Sequence, residues 1–370
     1  MVLRWTWNSL IAGPWHLLAS VGAIGAAFAL VLFFEAVFAG ESRQIVAYAR
    51  HADADVWVMQ RGVSNMHMAT SFVSDWKADR IARIEGVSKV TPILYLNTVM
   101  RAGEGNWFSF IVGLDPTDQR AGPWAVTEGK RLPGKGEALV PAVLVRLAGL
   151  ELGDAISIAG QSFVVSGLTD GTFSMANSIT FVTMPDLADV MSSFGTMSYF
   201  LVDTAPGVDS VRLAERIERE VEKVSAVPNE AFIRNDWAVA MQMGVEIIGL
   251  MTLIGGALAI LLTGFAVYSS TARKEREFAV MKALGFRNRA IYASVMAQAG
   301  SMAMLGFLLA AGLVSVATPL TARFVPQVTL EVSPEALSRV LITALVVALL
   351  ACVIPVRRVV RVDPLSAFRG

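Results

Sequence analysis

Residues 17–39 read LLASVGAIGAAFALVLFFEAVFA, an apolar run interrupted by one ionisable side chain, Glu35. About 20 consecutive apolar helical residues suffice to cross the hydrocarbon core of a bilayer. The run is long enough to span. Three further stretches of this kind close the chain, Ile247 to Val267, Ile291 to Leu320 and Val340 to Val356, and ordinary soluble sequence fills the interval between the first and second. The expected fold is an α-helical membrane protein with four transmembrane helices and a large mixed α/β extracytoplasmic domain between the first two.

Charge sets the orientation. Thr271 to Arg289 carries Arg273, Lys274, Arg276, Lys282, Arg287 and Arg289, and the fourth stretch is followed by Arg357, Arg358 and Arg361. Cytoplasmic loops hold the Lys/Arg excess of membrane proteins, so both segments are expected inside. Arg4 places the N-terminus inside as well. The expected organisation is an interfacial helix over 1–16, a first span over 17–40, an external domain over 41–243 and a second span over 244–270. A cytoplasmic segment over 271–289, a third span over 290–322, an external loop over 323–338, a fourth span over 339–356 and a cytoplasmic tail over 357–370 follow.

The 370 residues are 54% hydrophobic with balanced charge, 31 basic against 31 acidic, and mean hydropathy is +0.55. Acidic residues outnumber basic ones in the insert, so nucleic acid is not an expected ligand. The single cysteine, Cys352, lies in the last apolar stretch, which leaves the external domain to a hydrophobic core rather than disulfides. His16, His51 and His67 do not cluster with it, and no zinc spacing is present.

Val37-Phe38-Ala39 before Gly40 resembles a signal-peptide cleavage site, but the apolar run exceeds the about 7–15 residues of such a segment. A retained anchor is expected. Ahead of it, Trp5, Trp7 and Trp15 around Gly13-Pro14 suit a short helix at the membrane interface.

In the insert, Asp55 to Gln60, Val87 to Leu96, Trp107 to Gly113, Gly136 to Pro141, Ser178 to Thr183 and Ser198 to Asp203 read as strands. Gly160-Gln161 turns Ala155 to Ile158 back into Ser162 to Gly167. Helices are expected over 72–84, 143–150, 186–191 and 209–224, the last with Arg and Glu along one face.

Read together, Gly136-Glu-Ala-Leu-Val-Pro141, Leu150-Glu-Leu-Gly-Asp154 and Phe163-Val-Val-Ser-Gly167 resemble the periplasmic core signature of MacB/FtsX-type, or type VII, ABC transporter permeases. Arg276-Glu-Phe-Ala-Val-Met-Lys-Ala-Leu-Gly-Phe286 is similar to that family's cytoplasmic motif, and Asp363-Pro-Leu-Ser-Ala-Phe-Arg369 to its usual ending. Glu35 to Phe72 resembles the DevC-like branch, whose members pair with a membrane-fusion adaptor. The resemblance covers essentially the whole chain. It implies a non-catalytic subunit of the bacterial inner (cytoplasmic) membrane, with both termini cytoplasmic. Its implied partners are a cytosolic ABC ATPase that binds ATP and Mg, a second permease copy or homologue, a periplasmic adaptor and membrane lipids. It also implies export of a lipid, glycolipid, lipopeptide or hydrophobic compound, or alternatively force relay to an external partner such as a cell-wall hydrolase.

No Gly-x-x-x-x-Gly-Lys-Ser/Thr loop occurs, so no P-loop binds ATP here, and no cofactor is expected in this chain. Residues 271–284 form an amphipathic segment ending at Gly285, a residue suited to a left-handed helix cap. Two readings stay open for it: a positive-inside anchor with no partner, or, as the resemblance implies, a coupling helix seated in the ATPase. In the second, Glu275, Arg276 and Glu277 make polar contacts, Phe278, Met281 and Leu284 fill an apolar cleft, and Lys282 faces headgroups or a groove.

Other groupings carry less. Ser71, His67 and Asp75 are near one another in sequence, which says nothing of a triad without geometry. Met66-His67-Met68 contains copper-ligand types, though methionine more commonly packs. Charge facing lipid costs about 2.5–3.5 kcal/mol at a helix centre and less near the interface, so Glu35 and Glu246 are either interfacially solvated or face a dimer interface or substrate path. Gly249, Gly255, Gly256 and Gly264 permit close helix approach, between subunits or within one.

Overall fold

The computed structural model describes residues 14–67, 69–115, 118, 120–174, 178–284 and 286–352, without the side chains at 14, 240, 241, 243–248, 275, 276 and 351. Most of the expected interfacial helix over 1–16 and the whole tail over 357–370 lie outside these residues. Two compact units divide the chain, one of Glu41–Val245 with Val325–Thr329 and one of the remainder.

The chain enters on α1 (Pro14–Ile45) and the short α2 (Ala47–His51). The extramembrane unit then builds β1 (Val56–Gln60), β2 (Val73–Ser74), α3 (Lys77–Ala82), β3 (Val87–Ala102), β4 (Gly105–Leu114), β5 (Val126–Gly129) and β6 (Glu137–Pro141). It continues through α4 (Ala142–Leu147), β7 (Ala155–Ile158), β8 (Gln161–Thr169), β9 (Ser178–Thr183), α5 (Met184–Met191), β10 (Thr196–Met197), β11 (Tyr199–Thr204), α6 (Ser210–Glu220) and β12 (Val224–Pro228).

Ten strands share a mixed sheet in the order β12-β1-β11-β3-β4-β9-β6-β8-β5, with β7 joining β3 and β8. The β4–β9 and β6–β8 pairs are parallel, whereas β1 lies antiparallel between β11 and β12. Buried β-branched and aromatic residues fill these strands, as a sheet covered on its faces requires. The expected helix over 72–84 is corrected to α3, because Val73 and Ser74 pair with Met197 and Thr196 instead. The expected helix over 209–224 stops at Glu220, because Val224 is already paired with Gln60. Backbone pairing to a distant strand outweighs a local helical pattern at both places.

At the core of this unit Trp57 stacks on Phe232, with centroids 4.3 Å apart and planes 5° from parallel, and meets Tyr199 edge-on at 5.7 Å. The phenol oxygens find partners in this apolar setting: Tyr95 donates to the Met66 carbonyl and Tyr199 to the Asn65 carbonyl, each at 3.2 Å. Burial pushes the Tyr95 and Tyr199 phenols well above their ordinary range. Both stay neutral donors.

The remaining helices are α7 (Asn229–Arg273), α8 (Glu275–Ala283), α9 (Asn288–Phe324) and α10 (Pro334–Ala351). Among the described residues, three helices are long and apolar enough to cross a membrane: Trp15–Ile45, Gly249–Arg273 and Asn288–Phe324. The fourth expected span, over 339–356, is helical through α10 as far as Ala351, and its last residues lie outside the description. Leu253, Phe265, Leu308 and Ile342 are exposed on the outside of this unit, while Phe28, Val267, Val295, Ala303 and Ala344 fill its interior. Helices apolar on every side suit a lipid surround rather than water. α1 and α9 pack against each other at Gly25 and Gly306, where a methyl group on Gly306 would meet Ile24 Cγ2 at 2.6 Å. Small residues let helix backbones come this near.

Candidate functional site

Within the segment 271–286, Thr271 to Arg273 still belong to α7, and α8 follows after a single non-helical residue, Lys274. The Thr271 hydroxyl donates to the Val267 carbonyl at 2.7 Å, and Lys274 N–H donates to the Thr271 carbonyl at 3.1 Å. Gln298 of α9 donates its amide to Ser270. This polar pair is buried among apolar side chains and ties α7 to α9 beside the start of α8. A buried amide without such a partner carries a cost of about 1–3 kcal/mol.

α8 has two faces of different character. Phe278 is 1% exposed and belongs, with Ala279, Ile291, Val295 and Ala299, to the buried cluster of the membrane unit. Met281 is partly buried against the same cluster. On the other side Glu277, Val280 and Leu284 recur at i, i+3 and i+7, all exposed, and Leu284 reaches 72%. Phe286 is exposed just beyond them. The helix closes with Leu284 N–H on the Val280 carbonyl at 3.0 Å and Phe286 N–H on the Met281 carbonyl at 3.1 Å, the second being the bond five residues back that ends many helices.

The expected apolar contacts therefore divide. Phe278 is corrected from a residue offered to a partner to one that fills the chain's own core, because α8 packs that face inward. Ala283 is exposed. Leu284 stands outward, with Val280 and Phe286, which sequence reasoning did not single out. Lys282 is half-buried. Gly285 and the side chains of Glu275 and Arg276 lie outside the described residues.

The intramembrane candidates divide as well. Glu35 Oε2 lies 2.8 Å from the Arg339 guanidinium. Gly255 faces α1, where an added Cβ would meet Val31 Cγ2 at 3.0 Å. Its role is internal packing. Gly249 and Gly256 have open space beside them and, with the exposed Leu253, lie on one outward strip of α7. The side chain of Glu246 lies outside the description.

His67 is not part of a group with Ser71 and Asp75. Its Nδ1 lies 2.8 Å from Asp236 Oδ1, which also accepts the Met66 N–H at 2.9 Å, and both side chains are nearly buried. The Ser71 hydroxyl instead accepts the Gln60 N–H at 2.9 Å. Met66 packs in the core, and Met68 lies outside the described residues.

The start of α7 was also missed as an anchor. Asn229, Phe232 and Asp236 fall on one helical face, and all three are engaged inside the extramembrane unit: Asn229 Oδ1 accepts from Trp57 Nε1 at 2.9 Å, Phe232 stacks on Trp57, and Asp236 holds His67. The far end of the same helix, at Val267, Ser270 and Thr271, is buried in the membrane unit. α7 is thus embedded at both ends.

Two family models match the chain, the MacB-like periplasmic core domain over residues 17–220 and the FtsX-like permease C-terminal over 249–364. The uncharacterized ABC transporter permease Rv0072 of Mycobacterium tuberculosis is 25% identical over 359 residues, 96% of either chain. A second permease of that organism, Rv2563, is 23% identical over 355 residues, again 96% of both. Among solved structures, the periplasmic region of MacB from Actinobacillus actinomycetemcomitans aligns with a TM-score of 0.37 at 10% identity, covering 51% of this chain and 94% of that one. The extracellular domain of the YknZ transporter from Gram-positive bacteria aligns with a TM-score of 0.36 at 14% identity, over 47% of this chain and all of that one. An external domain set between the first span and the closing ones, followed by a short two-faced helix, matches the order of the two family models along the sequence, and the chain belongs to the MacB/FtsX-type family of ABC transporter permeases.

Proposed function

We propose that α8 is the seat of the cytosolic ATPase and that α7 carries the resulting motion to the extramembrane unit, which expels a lipid, glycolipid, lipopeptide or hydrophobic compound with the help of an external adaptor. The observation that carries this reading is the division of α8 into one face buried in the membrane unit and one exposed apolar edge, Val280, Leu284 and Phe286. An apolar edge rimmed by Glu277 and Lys282 suits a protein cleft better than headgroups alone. Because Phe278 and Ala279 are held in the membrane core, a push on that edge moves the spans rather than a loose loop. Packed interiors transmit strain in this way.

On this reading ATP and Mg are bound by the partner, four spans keep both termini in the cytoplasm of an inner membrane, and the strip Gly249, Leu253 and Gly256 receives a second permease copy. Reconstitution tests the coupling. The purified chain alone should hydrolyse no ATP, and hydrolysis should appear when its cognate ATPase is added. Turnover by a preparation rigorously free of that ATPase would sink the assignment.

Orientation has its own test. Cysteine at Asn106, exposed on the extramembrane unit, should react with an impermeant reagent on intact spheroplasts, whereas cysteine at Asn288 should react only after permeabilisation. The native Cys352 is buried and gives little background. The reverse pattern would reject the orientation, and labelling of both sites without permeabilisation would reject the four spans.

A further inference from the structure

A groove of about 750 Å³ lies between α3 and α6 on the extramembrane unit. Ile84 and Trp76 supply its apolar lining, and Arg80, Arg83 and Arg219 line it together with Asp79 and Glu220. Among the described residues neither the Arg80 nor the Arg83 guanidinium has an ion-pair or hydrogen-bond partner, and Arg219 has only Glu215, at 4.0 Å. Two unpaired guanidiniums side by side repel each other, and an oxyanion relieves that repulsion with forked hydrogen bonds.

The local field agrees. Lys77 donates to the Glu222 carbonyl at 2.7 Å and sits 5.8 Å from the centre of the Trp76 ring. Its ammonium is held below its ordinary range, by burial first and then by repulsion from Lys223 and Arg80, against the pull of Glu222.

The apolar part of the site is larger than the groove. Trp76 is 57% exposed and Phe194 74%. The β2–β10 ladder pairs Ser74 with Thr196, and Asp75 N–H donates to the Gly195 carbonyl at 3.0 Å. Phe194 and Trp76 flank that bonded pair, each one residue beyond it. Isolated exposed apolar side chains are ordinary, but two large aromatics flanking one backbone hydrogen bond, with Trp76 in the groove beside the unpaired arginines, form a surface that is apolar on one side and cationic on the other.

We propose that this groove binds a phosphodiester-bearing amphiphile, with Arg80, Arg83 and Arg219 on the phosphate and Trp76 with Phe194 against the apolar body. Three guanidiniums against two carboxylates leave one net positive charge, the complement of a phosphodiester's single negative one. Asp79 and Glu220 then accept from hydroxyl or ammonium groups of the headgroup. The site lies within the extramembrane unit, and its occupation is independent of whether the complex moves cargo.

Binding to the full-length chain in a non-ionic detergent tests this without any ATPase. The probes are dihexanoyl-phosphatidylglycerol below its micellar concentration, inorganic phosphate and neutral dihexanoylglycerol. The phospholipid should bind about tenfold or more tighter than either of the others, and the double variant Arg80→Ala/Arg83→Ala should lose about tenfold or more of that affinity. Trp76→Ala should weaken phospholipid binding and leave inorganic phosphate unchanged. All three side chains are exposed, so an unaltered melting temperature is expected alongside. Unchanged phospholipid affinity in the double variant overturns the proposal. Equal binding of inorganic phosphate shows an anion site without the amphiphile and overturns it too, as does equal binding of the neutral lipid.

Discussion

Replacing Leu284 by Asp is expected to leave the chain folded in the membrane but to strip it of its ATPase. The side chain is 72% exposed, so the chain alone loses little; surface substitutions generally fall within about 0.5 kcal/mol. In the complex the same position would bury an unpaired charge, which costs about 3–5 kcal/mol. That corresponds to a weakening of about two to three and a half decades. Lys282→Ala is the comparator, since a basic residue near an anionic surface contributes only about 1 kcal/mol. Co-purification of the ATPase at matched membrane expression, with ATP turnover, decides the matter. Full assembly and turnover by Leu284→Asp would remove the ATPase seat from α8.

Phe278→Asp should act differently, on the permease itself. Phe278 is 1% exposed inside the membrane unit's cluster, and an uncompensated charge there again costs about 3–5 kcal/mol, a large share of the about 5–15 kcal/mol that holds a typical domain together. The variant should accumulate poorly and melt early in detergent, while Phe278→Leu, a milder change of volume, should cost less than about 1.5 kcal/mol. Size-exclusion of a fluorescent fusion and a thermal shift assay measure both. Wild-type yield and melting of Phe278→Asp, combined with loss of the ATPase, would instead return Phe278 to the partner-facing edge.

The distinction between these two neighbours was not readable in the sequence. Residues 278–281, 283 and 284 are all apolar, so a helix as short as α8 carries no stripe from which to choose a face. Only the packing of Ile291 and Val295 beside Phe278 chooses it. The three long spans were legible because lipid-facing helices are apolar on every side, a signal that needs no knowledge of neighbours. Strands β1, β4, β6 and β9 were legible as short apolar runs bounded by turns. β12 was not, since its pairing with β1 is the reason Val224 to Pro228 extends at all. His67 shows the same limit: the residues near it in sequence were Ser71 and Asp75, while the carboxylate that holds it, Asp236, comes from the first turns of α7. The helices expected over 72–84 and 209–224 include Arg80, Arg83 and Arg219, but only the fold brings α3 and α6 together as the walls of one groove.

Within each unit α7 is held by residues of one face, which makes its register there a matter of angle. Phe232 and Asp236 fix the azimuth of one end, and Val267, Ser270 and Thr271 that of the other. One residue inserted between Phe232 and Asp236 would turn Asp236 about 100° around the axis and carry it about 1.5 Å along it, away from His67. One inserted between Val267 and Ser270 would turn Ser270 by the same angle, away from Gln298 of α9. Each end of the helix therefore depends on the number of residues between its anchors as much as on their identity.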